Sequence, residues 1–289
     1  MKTKVFAVCA VIFLFCGVAH ADLKDGLVAH WSFDDCEATD NSGNKRNGSI
    51  EGSPQCIDGI SGKAFYFNGI NDLIRVSNTF PTVIPNTSPV AVSAWIKTAT
   101  TKDAAGIVTQ HTACGGSNGG LDDHFHITLY GPNSNSLQAD AFDSTRVSVE
   151  RAMVSDNKWH HIVLVYDGTT NYLYIDGVQK NTVSASPQSI FDPTVDVAIG
   201  GFHTNSCYVS HNFEGAIDEV RLYNRAISAS EVQQLYQGQV TCSNSIVTFT
   251  AGTPAKAADV NANFDALNCQ IQALKAIICK NEPTASVCQ

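Results

Sequence analysis

WHHIVLVYDGTTNYLYIDGVQ, residues 159–179, decides the fold. Successive side chains of an extended chain point to opposite faces. Ile162, Leu164 and Tyr166 therefore share one face, and His161, Val163 and Val165 share the other. Asp167-Gly168 leads into Thr-Thr-Asn, and a second alternating run, NYLYIDG, ends in Asp176-Gly177. Residues of these types accept positive φ or bond their own backbone, as tight connections between strands require. The same two-residue period appears on both sides of this stretch. In LVAHWSF (27–33), Leu27, Ala29, Trp31 and Phe33 oppose Val28, His30 and Ser32, and VAVSAWIKT (90–98) continues the theme. In HFHITLY (124–130), Phe125, Ile127 and Leu129 oppose His124, His126, Thr128 and Tyr130. Turn clusters such as SGNKRNG (42–48) and Asn68-Gly69 separate the runs, with no long helical period between about residues 26 and 223. Many short strands with regular turn signals predict an antiparallel sandwich.

Composition agrees. Of 289 residues, 44% are hydrophobic and 16% charged, close to an ordinary packed protein and unlike a disordered or collagenous chain. The 18 basic and 27 acidic residues give a net charge of -9, and no basic run occurs, which excludes the phosphate-neutralising footprint of a nucleic-acid binder. Residues 1–21 read as an export signal: Lys2 and Lys4 precede an apolar run from Val5 to Val18, and Ala19-His20-Ala21 fits the small-x-small cleavage rule. That run is shorter than the ~20 apolar residues of a membrane span. Cleavage after Ala21 removes two of the 18 basic residues, leaving 16 against 27 acidic ones, a mature net charge of -11 with no transmembrane span.

Export places the eight cysteines beyond the signal in an oxidising compartment, where an even number reads as disulfides. Structural zinc sites use close C-x-x-C pairs. These cysteines, at 36, 56, 114, 207, 242, 269, 279 and 288, contain none. Four precede residue 240 and four follow it, so two bridges in each part is the simplest arrangement, with Cys36–Cys56 and Cys114–Cys207 as the expected pairs in the first. After the last strand, SASEVQQLY carries Ser228 and Glu231 at capping-box spacing, which starts a short helix.

The opening stretch together with FEGAIDEVRLYNRAISASEVQQLY (213–236) resembles the laminin-G-like jelly roll of the concanavalin A-like lectin and glucanase superfamily. The likeness extends through AHWSFDD, DNSGNKRNGS, KAFYFNGINDLIRV and VSAWIKT, about residues 26–237. It implies an all-β, two-sheet jelly-roll sandwich over residues 22–237, with an outer surface and rim loops free to bind a ligand. Such a fold hosts binders and glycoside hydrolases alike. The superfamily's glucanases carry E-x-D-x-E or E-x-D-x-x-E on one strand, so that alternate carboxylates flank a glycosidic bond. This chain has no such run. Its nearest cluster, Glu214-Gly-Ala-Ile-Asp218-Glu219, has the wrong spacing. There is no G-x-S-x-G, H-E-x-x-H or P-loop, and His160 and His161 point opposite ways on one strand. No catalytic residue is expected.

The resemblance also implies a structural calcium where the first turn meets the last strand. Matching oxygen donors are Asp34, the backbone of the Asp40-Asn41-Ser42-Gly43 and Asn47-Gly48 turns, and Asp218, with Asp72 as a further candidate. Read alone, these aspartates are ordinary turn residues. The ligand face is expected around QHTACGGSNGGLDDHFHITLYG (110–131), which holds His111, Asp122 and Asp123, and presents His124 and His126 outward. GFHTNSCYVSHNF (201–213) adds His203, Tyr208 and His211, and a Cys114–Cys207 bond would bring both loops to one rim suited to hydroxyl-rich ligands or a transition metal.

The last 50 residues differ in kind. A linker, 238–253, leads to a helical tail, 254–289, in which Thr253 caps the start and Pro254 takes the first helical position. Val260, Phe264, Leu267, Ile271, Leu274 and Ile278 repeat at four-three spacing, the a/d seam of a coiled coil. The stretch resembles helical tails of exported bacterial surface proteins. A helix this short must bury its seam, either on the lectin domain or on another copy. The narrow stripe favours a homo-oligomer through residues 254–280, and Cys269 and Cys279 lie off the seam, free to bond Cys242 and Cys288 or another chain. The expected function is a secreted or cell-surface module that binds a glycan or an extracellular protein. A carbohydrate-active hydrolase and a structural fibre component assembled through the tail are the alternatives.

Overall fold

A computed structural model describes residues 22–77, 88–111, 123–131, 134–141, 145–185, 196–202 and 211–238. The strands are β1 (Leu27–Trp31), β2 (Ser49–Glu51), β3 (Gln55–Asp58), β4 (Lys63–Asn68), β5 (Leu73–Val76), β6 (Val90–Lys97), β7 (Ala105–His111) and β8 (Asp123–Tyr130). There follow β9 (Ser136–Ala141), β10 (Val147–Glu150), β11 (Trp159–Tyr166), β12 (Thr170–Ile175), β13 (Val178–Ser184), β14 (Val197–Ile199), β15 (Glu214–Tyr223) and the helix α1 (Ala229–Gln237). They build two antiparallel sheets, the jelly-roll sandwich that the alternation and the resemblance predict. Sheet A has the order β13-β12-β11-β6-β15-β4-β3, with β1 also paired to β15, and sheet B has the order β10-β9-β8-β7-β14-β5-β2. The ten residues of β15 serve two neighbours on one side, pairing β4 from Glu214 to Ile217 and β1 from Val220 to Tyr223.

The predicted inward faces fill the space between the sheets. Trp31, Phe67, Ile96, Ile127, Leu164 and Ile217 are fully buried in one cluster, and Phe33 meets Phe65 edge-on with ring centroids 5.2 Å apart. The Cys36–Cys56 disulfide forms as expected, tying the turn after β1 to β3. Cys114, Cys207, Cys242, Cys269, Cys279 and Cys288 lie outside the described residues, as do the expected export signal and the expected helical tail. Among the described residues no helix is long and apolar enough to cross a membrane.

Sheet A carries a second apolar layer on its outer side. Helix α1 starts at a capping box: Ser228 Oγ accepts from the Glu231 N–H at 3.3 Å, and Glu231 Oε2 accepts from the Ser228 N–H at 2.7 Å. Val232 and Leu235 of the helix then pack with Ala91, Val163, Val165, Tyr174 and Tyr223. This explains why all of β6 but Lys97 is buried: Val90, Val92, Ala94 and Ile96 face the main core, while Ala91, Ser93 and Trp95 lie beneath the helix side.

Candidate functional site

On sheet B, Phe125, Ile127 and Leu129 face the core as the alternation predicts, and His124, His126 and Thr128 take the opposite face. That face is not presented to solvent. His124, His126, Thr128 and Asp140 are 2%, 1%, 0% and 1% exposed, which corrects the expectation that His124 and His126 project outward. The register supplies the reason. His126 stands opposite Asp140 on β9 and Thr109 on β7, forming a polar row across the sheet. His126 Nδ1 lies 3.1 Å from Asp140 Oδ1, and Arg146 Nε donates to Asp140 Oδ2 at 3.3 Å. Thr109 donates its hydroxyl to the Gly201 carbonyl at 2.8 Å. The Arg146 guanidinium pairs the buried Asp140 carboxylate, which offsets part of the cost of taking its charge out of water.

The remaining expected ligand residues do not assemble into one described site. His111 and Asp123 pair in register at the ends of β7 and β8. His211 accepts the Gly106 N–H on its carbonyl at 3.0 Å and meets Phe202 edge-on at 5.9 Å. Asp122, His203 and Tyr208 lie outside the described residues.

The calcium candidates also separate. Asp34 and Asp218 flank the turn between β3 and β4. Asp34 accepts the Lys63 N–H at 3.0 Å, while Asp218 accepts Ile60 N–H at 2.8 Å and Ser61 N–H at 3.3 Å on one oxygen and Glu219 N–H at 2.7 Å on the other. A Cβ at Gly59 would collide with the Asp218 carboxylate, and one at Gly62, where φ is +57°, with that of Asp34. Glycine is needed at both positions for the turn to fit between the two acids. Asp72 serves another turn, accepting Ser53 N–H at 2.8 Å and Asn68 N–H at 2.9 Å, and Gly48 donates its N–H to the Ala38 carbonyl. Calcium needs six to eight converging oxygens. Here N–H dipoles converge on the carboxylates, and among the described residues no three metal-ligating side chains come together. The donor set does not fit a calcium ion. Burial, against the pull of the N–H groups and with help from the Glu219 charge, pushes the Asp218 pKa up to about 7.

β11 separates its two histidines as expected. His160 is held between Asp176 and Asp156, each at 2.9 Å; burial opposes its charge, but these bonds outweigh it and raise the pKa. His161 lies under the helix beside Trp95 and Tyr236, with Nε2 2.8 Å from Ser93 Oγ. Burial and the nearby Arg221 lower its pKa to about 3, so it stays neutral. Glu219 is also committed, lying 2.7 Å from His30 Nε2 and 2.6 Å from an Arg221 nitrogen. On β15, Glu214 and Asp218 share a face, but four residue rises put them about 13 Å apart, beyond the ~5–9.5 Å that glycosidic acid–base pairs span.

Beyond the edge of the helix-covered zone, the outer face of sheet A is open and polar. Tyr66, Ala216, Lys97 and Trp159 follow one another in register across β4, β15, β6 and β11. A depression of about 310 Å³ lies here, with Tyr66, Lys97, Asn157 and Glu214 in its wall. Sequence reading weighed Glu214 only as a catalytic acid and passed over Tyr66, Lys97 and Asn157, although Tyr66, set between core-facing Phe65 and Phe67, carries the signal of an outward aromatic.

A comparison with curated proteins finds no match. Among solved structures, the chain is similar to domain 4 of a GH43 extracellular arabinanase from Geobacillus stearothermophilus, in complex with arabinotriose, with 24% identity, a TM-score of 0.56 and coverage of 73% of this chain and 98% of that one. It is also similar to the binding domain of Paraclostridial Mosquitocidal Protein 1, with 21% identity, a TM-score of 0.57 and coverage of 75% and 53%. The receptor binding domain of a botulinum neurotoxin C/D mosaic serotype shares 14% identity at a TM-score of 0.58, with coverage of 76% and 52%. The chain thus spans about half the length of these two toxin domains. Residues 68–233, more than half of the sequence, match the family whose description is the concanavalin A-like lectin/glucanases superfamily, and the chain belongs to it.

Proposed function

We propose that this chain is an exported, non-catalytic binding or adhesion module that recognises a glycan or a surface protein. One observation carries the reading: the carboxylates that a calcium site or an acid–base pair would call on are engaged in the fold or too far apart. Asp34, Asp72 and Asp218 each accept backbone N–H groups, Glu219 and Asp140 are paired with cationic or imidazole nitrogens, and the acids sharing a face of β15 are too far apart for glycosidic acid–base work. The similar arabinanase domain, in complex with arabinotriose, and the binding domains of the toxins favour the same reading. Residues 254–280 would raise avidity by clustering copies, since linked weak sites gain effective concentration without any new contact.

A glycan array and a panel of extracellular-matrix proteins, probed with the purified mature chain, test the binding claim, and a reducing-sugar assay on the same polysaccharides tests the absence of catalysis. Saturable binding without release of reducing ends is the expected result. Bond cleavage abolished by changing one acidic residue would overturn it. Light scattering on the full chain and on a chain ending at Gly238 tests assembly; an oligomer that becomes a monomer on truncation is expected, and monomers in both cases refute the role given to the tail.

A further inference from the structure

The open end of the outer face of sheet A brings together groups that the fold itself does not use. Tyr66 is 37% exposed, an aromatic side chain left in solvent between two buried phenylalanines. Tyr66 and Lys97 are each in register with Ala216, so their backbones stand two strand spacings apart, about 10 Å, with only a methyl group between them. Ala216 itself is covered, 2% exposed, and a trough opens beside it, against Gly215 and residues 98–101. Its far wall is Glu214, which precedes Ala216 by one pleat on the same face, and Asn157, from the turn entering β11.

The polar atoms of the trough are placed but unspent. Glu214 is fixed from behind: Thr98 Oγ1 donates to its carbonyl at 2.6 Å, and Thr100 Oγ1 donates to Oε2 at 3.4 Å. Its other carboxylate oxygen makes no bond among the described residues. Asn157 is pinned through its backbone, whose N–H donates to the Thr98 carbonyl at 2.8 Å at a φ of +63°, leaving its side-chain amide outside that bond. Lys97 has no carboxylate within ion-pair distance among the described residues. The set thus offers an ammonium donor, a carboxylate acceptor, an amide that does both, and an aromatic ring, around about 310 Å³ of space. Polyhydroxylated ligands match that inventory: each hydroxyl both donates and accepts, while the C–H face of a sugar ring needs an apolar surface. Opposite charges in one small site favour a neutral ligand over an acidic or basic one.

We propose that this trough is a glycan subsite that binds a neutral oligosaccharide, with one sugar ring on Tyr66 and the next ring's hydroxyls on Lys97, Glu214 and Asn157. The proposal rests on the binding-module reading and names the site for its glycan arm. A second depression, of about 390 Å³, lies at the helix-covered side of sheet A between Leu27, His30, Arg221, Tyr223 and Leu235, but its His30 and Arg221 are already engaged by Glu219.

Isothermal titration of the full mature chain with arabinotriose, cellotetraose, xylotetraose and mannotetraose provides the test, together with the variants Tyr66→Ala, Tyr66→Phe, Lys97→Met and Glu214→Gln. At least one oligosaccharide binds the native chain. Tyr66→Ala weakens it about tenfold or more, Lys97→Met and Glu214→Gln each about fivefold, and Tyr66→Phe less than about threefold, because the ring is kept. Thermal melts of the four variants within a few degrees of the native chain tie these losses to the site. Native binding that all three disruptive variants leave within about twofold overturns the trough and leaves the module reading standing. Failure of the native chain to bind any of the four at millimolar concentration overturns both the trough and the neutral-glycan reading.

Discussion

Replacing Asp218 by Asn should remove one pH dependence of stability. The carboxyl is fully buried and its pKa rises from 3.8 to about 7, burial being the main cause. Between those values the folded protein keeps a proton that the unfolded chain releases, so this group's contribution falls as pH rises through the window and is lowest above pH 7. A displacement of about three pH units, at ~1.4 kcal/mol per unit, amounts to about 4 kcal/mol. Asparagine abolishes that titration. It keeps one carbonyl oxygen for the Ile60 and Ser61 N–H groups but turns an NH2 toward the Glu219 N–H, losing one hydrogen bond, a pH-independent cost of about 1 kcal/mol. The variant should be the less stable protein by about 1 kcal/mol near pH 3.5 and the more stable by about 3 kcal/mol near pH 7.5. His161 makes the native curve deceptively flat: its pKa falls from 6.5 to about 3, so its contribution is present above 6.5 and lost as pH falls. The two slopes oppose each other in the native chain, and the variant exposes the histidine's. Urea unfolding followed by tryptophan fluorescence across this pH range reads the difference between the two proteins directly. A difference that stays constant within about 1 kcal/mol would refute the assignment.

Changing both Cys36 and Cys56 to Ser opens a loop with a sequence separation of 20, which the chain-entropy model values at about 3 kcal/mol. Calorimetry should show Tm lower by roughly 6–12 °C for a domain of this size. Ser228→Ala removes one half of the capping box and should cost about 1 kcal/mol, seen as a fall of roughly 2–4 °C in the same measurement. Because backbone N–H groups occupy Asp34, Asp72 and Asp218, excess EDTA or millimolar calcium should leave Tm unchanged; a calcium-dependent rise of several degrees would show a site that these carboxylates do not build by themselves.

Much of the fold was legible because a strand's period is local. Trp159 to Tyr166 and Thr170 to Ile175 carry their own alternation and their own turns, so strand identity and inward face follow without knowledge of any partner. The capping box was legible for the same reason, its two members being one turn apart. What the period does not encode is what lies on the other face. Val90 to Lys97 reads as a strand with one buried side, yet both sides are buried, because a helix more than a hundred residues later covers the second. The small residues Ala91 and Ser93 on that side are the only local trace, leaving room for the helix to approach.

The same limit explains why the exposure of His124 and His126 was misread. His124 and His126 were placed on the correct face of β8, and their exposure was inferred from the rule that an antiparallel sheet often keeps one face wet. Asp140 and Arg146 overturn that inference, and their adjacency to His126 depends on the pairing of three strands, a fact of register that no single segment contains. Histidine and aspartate are chemically conspicuous, which drew attention to a row on β8 that the fold buries. The trough on sheet A is quieter in sequence: one tyrosine between phenylalanines, one lysine at a strand end, one glutamate and an asparagine in a turn, spread from residue 66 to residue 214. Function is better sought where hydrogen-bonding capacity remains after the fold has been satisfied than where reactive residue types are densest. On that criterion the buried carboxylates and histidines of this sandwich belong to its stability, and the open trough is where a ligand is to be sought.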